Sequence, residues 1–169
     1  MTPKYAVASA VLPVLLSAPL ILQGATLSKT DSRFMKRAAQ TNMMQAHLGQ
    51  MAETQAHEQT VKDFGKKLSG DHTNSYEGLT VLANKTGETK PKALRSDKTL
   101  VRLTHLKGKS FDHAFLQAQV QSQRTAIAAF KNEAAHGENP DVKEWANRMV
   151  PTLEGNLQMA ENLAKGKAK

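Results

Sequence analysis

The chain has 169 residues, of which 23 are lysine or arginine, 15 are aspartate or glutamate and none is cysteine. This length and a hydrophobic share of 40% are typical of one globular domain and disfavour the collagen-like and wholly disordered classes. The lack of cysteine excludes disulfides, thiolate zinc sites, thiol catalysis and cysteine-ligated iron–sulfur clusters, and the formal charge of +8 predicts attraction to polyanions without selecting among them.

The first segment has the pattern of an export signal. Residues 5–22 contain no charged side chain, follow Lys4 and lead to the small pair Gly24 and Ala25. The run is short for a bilayer span and contains two prolines, which favours cleavage near this pair over a retained N-terminal membrane anchor, the alternative. The sequence therefore predicts a signal peptide at 1–25 and export, with the periplasm as the predicted compartment.

The rest of the chain has helical periodicity, with no sustained alternation typical of strands. Asp31, Ser110 and Asn139 are the expected N-caps of three of the helices. Predicted helices cover about 32–55, 58–84, 97–106, 111–136 and 140–164. Four long helices and one short helix predict an all-α four-helix bundle, with the short helix in the connection between the second and third long helices. The predicted domain covers 26–164, and 165–169 form a basic tail.

Each long helix carries one polar residue in its apolar stripe. These residues are Gln45, His72, Gln123 and Asn156. Helical bundles that bind metals use inward carboxylates and histidines, and only His72 is of that type. Neutral amides can instead hydrogen-bond to one another and to the histidine, so the pattern favours a buried polar layer over a metal site, which stays the alternative.

Several short motifs resemble one family of exported bacterial proteins. They are Phe34-Met35-Lys36-Arg37-Ala38-Ala39-Gln40, Leu48-Gly49-Gln50-Met51-Ala52, Val61-Lys62-Asp63-Phe64-Gly65, Asp71-His72, Phe111-Asp112-His113-Ala114-Phe115 and Pro151-Thr152-Leu153. The family has a ferritin-like four-helix domain of unknown function, and its members are often labelled membrane or outer-membrane proteins. The resemblance covers nearly all of the mature chain and implies a ferritin-like bundle with no settled activity.

The same resemblance implies a metal constellation that this chain has mostly lost. The family pattern resembles Glu at the position of Gln45 and His at 72 and at the positions of Gln123 and Asn156. This chain keeps His72 and has Asp71 and Asp112 nearby in the pattern, so these three are the candidate metal ligands. The expectation is a degenerate site with no cofactor, and a bound transition metal ion is the alternative.

A second candidate metal site lies on the first long helix. Met43, His47 and Met51 recur every four residues, on a face expected to point outward, opposite Gln45. Two thioethers and an imidazole on an exported protein suggest monovalent copper. The alternative is a helix that packs its methionines on a partner subunit or on the short helix. Glu133 and His136 also share a helix face, but a histidine at a helix end is favoured by the dipole alone, so neither is assigned as a ligand.

The basic residues concentrate in the connection between the second and third long helices. Eight lie between 85 and 109, against two acidic residues: Lys85, Lys90, Lys92, Arg95, Lys98, Arg102, Lys107 and Lys109. This patch predicts contact with an anionic envelope surface such as lipid headgroups, lipopolysaccharide or acidic polysaccharide, and a solvated loop is the alternative. No nucleic-acid partner is expected, because aromatic residues for base stacking are not interleaved with the basic ones.

No nucleophile elbow, phosphate-binding loop or dinucleotide fingerprint occurs in the sequence. The predicted function is therefore that of a non-enzymatic cell-envelope protein acting through surface contacts. The alternative is a metal-binding or metal-stress and oxidative-stress protein, using His72 with neighbouring carboxylates or the face of Met43. An enzyme would rest on fold analogy only.

Overall fold

The computed structural model describes residues 27–89 and 98–166. Within them the chain forms five helices and no strand: α1 Lys29–Gln55, α2 Gln59–Thr86, α3 Lys98–Thr104, α4 Gly108–His136 and α5 Pro140–Ala164. The prediction of an all-α four-helix bundle with a short extra helix in the long connection is confirmed. The predicted signal at 1–25 lies outside the described residues, as do Lys90, Lys92, Arg95 and the last three residues of the predicted tail.

The helix starts agree only in part with the predicted caps. Asn139 caps α5 as predicted, since its Oδ1 accepts from the N–H groups of Asp141 and Val142 at 3.0 and 3.2 Å. Asp31, by contrast, is not the cap of α1: Ser28 occupies that position, and its hydroxyl accepts from the N–H of Asp31 at 3.1 Å. Helix α4 likewise begins earlier than predicted, at Gly108 rather than after Ser110.

The long helices form two antiparallel hairpins, α1–α2 and α4–α5, each with extensive internal contact. The start of α4 lies beside the α1–α2 loop, whereas Glu88, just after α2, forms a 3.1 Å ion pair with Lys36 near the start of α1. Helix α2 therefore ends at the opposite end of the bundle from the start of α4, a distance of about 40 Å for a helix of 28 residues. This is why the chain needs the long crossover that contains α3.

The two hairpins are related by a shift of 81 residues along the sequence. Matching pairs include Phe34 with Phe115, Val61 with Val142 and Phe64 with Trp145. The loop residues Glu58 and Asn139, which precede α2 and α5, are a further pair with the same spacing. The sequence thus repeats itself at these positions, once in each hairpin.

The apolar core consists of two clusters, one toward each end of the bundle. The first contains Phe34, Phe130 and Trp145, whose ring centroids lie 5.0 to 6.1 Å apart. The second contains Phe64, Phe111, Phe115 and the buried Leu103 of α3, with centroids of neighbouring rings 5.5 to 5.9 Å apart. None of the helices in 27–89 and 98–166 is long and apolar enough to span a bilayer.

Glycines bring α1 and α2 into close contact. A Cβ atom at Gly49 would lie 2.5 Å from the carbonyl oxygen of Gly65 and 2.7 Å from the backbone nitrogen of Ser69. A Cβ atom at Gly65 would lie 2.7 Å from both the carbonyl oxygen of Gly49 and the Cβ of Ala52. Since most of these atoms are backbone, the two helices can approach this closely only without side chains at these positions.

Candidate functional site

A layer of buried polar side chains separates the two apolar clusters. Along α2, for example, His72 lies between Leu68 of the second cluster and Leu79 of the first. Members of the layer come from all four long helices: Asn42, Gln45, His72, Ser75, Gln119, Gln123 and Asn156. All four polar stripe positions named from the sequence are buried here, as is Ser75 of the predicted α2 stripe, whereas Asn42 and Gln119 were not predicted to face inward.

Hydrogen bonds at both ring nitrogens place His72 in one tautomer. Its Nδ1 lies 2.8 Å from Oδ1 of Asn42, which can only accept, so Nδ1 carries the proton and donates. Its Nε2 lies 3.3 Å from Nε2 of Gln123, which donates to it. The Asn42 amide then donates to the Ser75 hydroxyl at 2.9 Å. Both ring nitrogens are therefore engaged with neutral partners.

Burial keeps the imidazole neutral. Desolvation lowers the pKa of His72 from its ordinary 6.5 to about 4; the charge of Asp71 opposes this shift, and that of Lys67 adds to it. The ring is thus uncharged at neutral pH. Its hydrogen bonds, and not an ion pair, hold it in the layer.

The remaining amides are only partly satisfied. Gln45 donates to the Ser122 hydroxyl across the α1–α4 boundary, and Asn156 accepts from Nζ of Lys67 at 3.0 Å. Several buried amide atoms have no partner among the described residues: Oε1 of Gln45, both side-chain atoms of Gln119, Oε1 of Gln123 and Nδ2 of Asn156. The layer therefore offers neutral amide groups, with no anionic ligand among its members.

The structure does not bring the predicted ligands His72, Asp71 and Asp112 together. The Asp71 carboxylate lies 2.5 Å from Nζ of Lys67. The Asp112 carboxylate accepts from the N–H of Glu58, which lies 14 residues, or about 21 Å, along α2 from His72. No cluster of three or more histidine, aspartate or glutamate side chains suited to a metal occurs within 27–89 and 98–166. A core metal site does not fit this donor set, and grouping Asp112 with His72 was wrong.

Asp112 instead belongs to a symmetric pair of clamps on the hairpin loops. Its two oxygens accept from the N–H groups of His57 and Glu58 in the α1–α2 loop, at 2.9 and 3.0 Å. Its repeat partner Asp31 accepts from Glu138 and Asn139 in the α4–α5 loop, both at 3.0 Å. Each hairpin thus carries an aspartate that fastens the loop of the other.

Glu133 adds a second carboxyl group to the clamp of Asp31. Glu133 is 2% exposed, and burial followed by its hydrogen bond to Asp31 and the charge of Asp31 raises its pKa to about 7. Burial opposes ionisation of Asp31 as well, but the hydrogen bonds from Glu133, Glu138, Asn139 and Ser28 outweigh it and lower the pKa of Asp31. Glu133 is therefore the carboxyl group of the pair that holds a proton up to about pH 7, whereas Asp31 is ionised. No role for Glu133 was predicted from the sequence.

The predicted outward face of α1 is only partly outward. His47 is exposed and Met43 is partly exposed, but Met51 is 8% exposed and belongs to the second apolar cluster together with Leu103 of α3. The expectation that all three point outward was wrong for Met51, because the crossover places α3 against α1. Met43 and His47 remain as an accessible pair one helical turn apart.

The basic patch lies only partly within the described residues. Lys85 forms a 2.8 Å ion pair with Asp141, while Lys98, Arg102, Lys107 and Lys109 are exposed. None of these four has an ion pair to another residue in the part of the chain that the structure describes. The described part of the patch thus presents four uncompensated charges near the start of α4.

Residues 17–163 of the chain match the family model described as Domain of unknown function (DUF4142). The chain belongs to this family. No curated protein sequence matches this DUF4142 chain at a significant level. Its fold is similar to that of a DUF305 fragment from Deinococcus radiodurans, at 13% identity and a TM-score of 0.74 over 83% of this chain and 98% of the other.

Two further solved structures have a similar fold. A DUF305 protein from Streptomyces coelicolor, described as secreted, is 13% identical with a TM-score of 0.71, over 82% of this chain and 93% of its own. CopM in its Cu(I)-bound form is 14% identical with a TM-score of 0.70, over 84% of this chain and all of CopM, and CopM has also been solved with silver bound. At these identities the similarity establishes the fold alone.

Proposed function

We propose that this protein is an exported, non-enzymatic binding protein that takes up monovalent copper or silver on α1. One observation carries the proposal: Met43 and His47 lie one helical turn apart, and the imidazole of His47 is exposed. His47 has no hydrogen bond or ion pair to any other residue that the structure describes. A thioether and an imidazole are thus available side by side at the surface.

The chemistry of the pair favours a soft monovalent ion. Side chains four residues apart on a helix have Cβ atoms about 6 Å apart, so one ion can contact both. Thioether sulfur selects Cu(I) and Ag(I) over hard cations, and these ions accept as few as two ligands. Methionine is also concentrated here, since α1 contains four of the seven in the chain: Met35, Met43, Met44 and Met51.

The related folds are consistent with this class of ligand. CopM, which has the same helical architecture, binds Cu(I) and silver, and the protein from Streptomyces coelicolor is described as secreted. The uncharged run at 5–22, which has the pattern of an export signal, also supports export of this chain. These similarities support the class of ion and the compartment, whereas the choice of Met43 and His47 depends on this chain alone.

A silver titration followed by NMR tests the proposal. With methionine methyl groups and histidine ring protons as probes, Ag(I) is expected to shift Met43 and His47 first. The double variant Met43→Leu/His47→Ala should bind Ag(I) at least tenfold more weakly. Met159→Leu is the matched control, because Met159 is an exposed methionine on α5. Equal affinity of the double variant and the wild type, with both folded by circular dichroism, would refute the proposal.

A further inference from the structure

Helix α3 packs on the bundle with one side and leaves its other side to solvent. It contacts α1 and α4. Leu103 on its inner side is fully buried in the second apolar cluster, together with Phe111 and Phe115 of α4. Leu100 and Leu106 pack against the same cluster. The three leucines fix the rotation of α3 about its axis, so the side chains on its opposite side point outward.

The outward side of α3 carries two cations around an exposed valine. Lys98, Val101 and Arg102 are all exposed, and their spacing of i, i+3 and i+4 places them within an arc of about 100° on the helix. Val101 is 50% exposed. A single exposed valine is common on protein surfaces, but this one shares its face with two positive charges. One external surface can therefore contact all three side chains together.

The positive charge continues into the start of α4. Lys107 and Lys109 are exposed, and residues 98–111 contain four cations and no acidic residue. The next carboxylate, that of Asp112, is 6% exposed and accepts from two loop N–H groups. The exposed Glu58 in that loop lies 3.7 Å from the imidazole of His57. None of the four cations forms an ion pair with a residue of 27–89 or 98–166.

We propose that this α3 surface docks on a bilayer that contains anionic phospholipid; it consists of Lys98, Val101, Arg102, Lys107 and Lys109. Phosphate headgroups attract each lysine or arginine that comes close to them, and these attractions accumulate over the patch. The valine favours a bilayer over a soluble polyanion, since only a bilayer offers an apolar layer beneath its charged surface. The metal pair on α1 is not part of this surface, so the two proposals can fail independently.

A fluorescent label at Val101 tests the orientation of docking. Because the chain has no cysteine, Val101→Cys provides a single site for an environment-sensitive nitrobenzoxadiazole dye. Vesicles of phosphatidylglycerol and phosphatidylcholine should shift its emission to the blue, whereas vesicles of phosphatidylcholine alone should not. Val81→Cys is the matched control: this valine is 69% exposed and lies on α2, across the bundle from the α1–α4 face on which α3 packs. Its label should stay in water, and binding through the uncharged run at 5–22 alone would not distinguish the two labels.

Charge reversals in the labelled Val101→Cys protein separate this contact from a general effect of net charge. Lys98→Glu/Arg102→Glu should weaken vesicle binding at least tenfold, and binding of the unreversed protein should weaken as salt is added. Lys62→Glu/Lys66→Glu makes the same change in net charge on α2 and should weaken binding less than twofold. Circular dichroism should show both reversed proteins folded, since neither change touches an apolar cluster.

Three results would overturn the inference. They are no blue shift at Val101→Cys with anionic vesicles, equal shifts of the labels at 101 and 81, and equal weakening by the two charge reversals. Binding of dextran sulfate without any blue shift on vesicles would identify a soluble polyanion as the partner and refute docking on a bilayer. Met43→Leu/His47→Ala should bind the vesicles normally, which distinguishes a failure here from a failure of the metal proposal.

Discussion

The α1–α2 and α4–α5 hairpins have the same plan, but they differ at the positions that give each its chemistry. The aromatic pairs Phe34–Trp145 and Phe115–Phe64 correspond across the repeat, with centroids 6.1 and 5.9 Å apart. The clamp aspartates correspond as well. Three pairs of positions 81 residues apart have different residue types in the two hairpins: Gly49 and Phe130, His72 and Leu153, and Ala52 and Glu133. Matching positions thus maintain the scaffold, whereas the unmatched ones confer close helix packing, a buried imidazole and a buried carboxyl group of raised pKa.

The difference between the hairpins that should affect stability most is the close contact of α1 with α2, which a side chain at Gly49 would disrupt. Gly49→Ala is expected to destabilise the protein by about 3 kcal/mol, since its Cβ would meet backbone atoms of α2 that cannot move independently. Urea unfolding gives the free energy. Gly155→Ala on α5 is the control: no atom lies within 4 Å of the added Cβ, so the helix should gain up to about 1 kcal/mol. Equal stability of the two variants would contradict this.

Replacing His72 with the residue at its repeat position tests the polar layer. His72→Leu leaves Asn42 and Gln123 without their partner and should cost about 2 kcal/mol at pH 7. Because the pKa of His72 is lowered to about 4, the unfolded state takes up a proton first, and the wild type should lose about 3 kcal/mol as the pH falls from 6.5 toward 4.

His72→Leu has no imidazole to titrate and should not show this loss. The difference in free energy of unfolding between this variant and the wild type should therefore shrink as the pH falls. Urea unfolding at pH 7, 5.5 and 4.5 measures the difference. His105→Leu, at an exposed histidine, is the control. A deficit that stays constant across this range would mean that the pKa of His72 is not lowered in the folded protein.

The two clamps are expected to be similar in strength. Asp31→Ala and Asp112→Ala each remove a carboxylate that accepts from two loop N–H groups, and each should cost about 2 kcal/mol. Hydrogen exchange should show the location: faster exchange at 57 and 58 for Asp112→Ala, and at 138 and 139 for Asp31→Ala. Loss of protection at both loops in either variant would contradict independent clamps.

The smallest expected change in stability is at Glu133, which lies beside Asp31 and has no carboxyl counterpart beside Asp112. The folded state keeps the Glu133 proton up to about pH 7, whereas the unfolded state loses it near 4.5, so stability falls as the pH rises through this window. Glu133→Gln donates to Asp31 at any pH, and its stability relative to the wild type should rise by about 1 kcal/mol between pH 6 and 8. Glu144→Gln, at an exposed glutamate, serves as the control, and parallel pH profiles for it and Glu133→Gln would contradict the prediction.

Local patterns were sufficient to predict the architecture. Helical periodicity places every helix within a few residues of its observed bounds, and the Asn139-Pro140 pair marks the start of α5. The four stripe positions lie in the polar layer because one residue in each helix interrupts an apolar face. The apolar stripes predicted for α1 and α4 were too narrow, however. The buried face of α1 and α4 is wide enough to include Asn42 and Gln119 as well.

The features that local sequence patterns do not predict depend on contacts between distant segments. Asp31 matched a helix cap locally, but its carboxylate accepts from residues more than 100 positions away. The burial of Glu133 follows from that contact, and the burial of Met51 follows from the path of the crossover. Comparing the sequence with itself at a shift of 81 residues would have paired Asp31 with Asp112 and indicated a shared role.

The repeat has a consequence for how the molecule holds together. Each hairpin supplies the aspartate that fastens the other's loop, so the two halves recognise each other through contacts that do not involve the crossover between them. The bundle corresponds to a dimer of hairpins whose subunits have been joined. The crossover then acts as a tether that keeps the effective concentration of each half high. Hairpins produced as two separate chains should accordingly reassemble into the native bundle, with a stability that depends on their concentration.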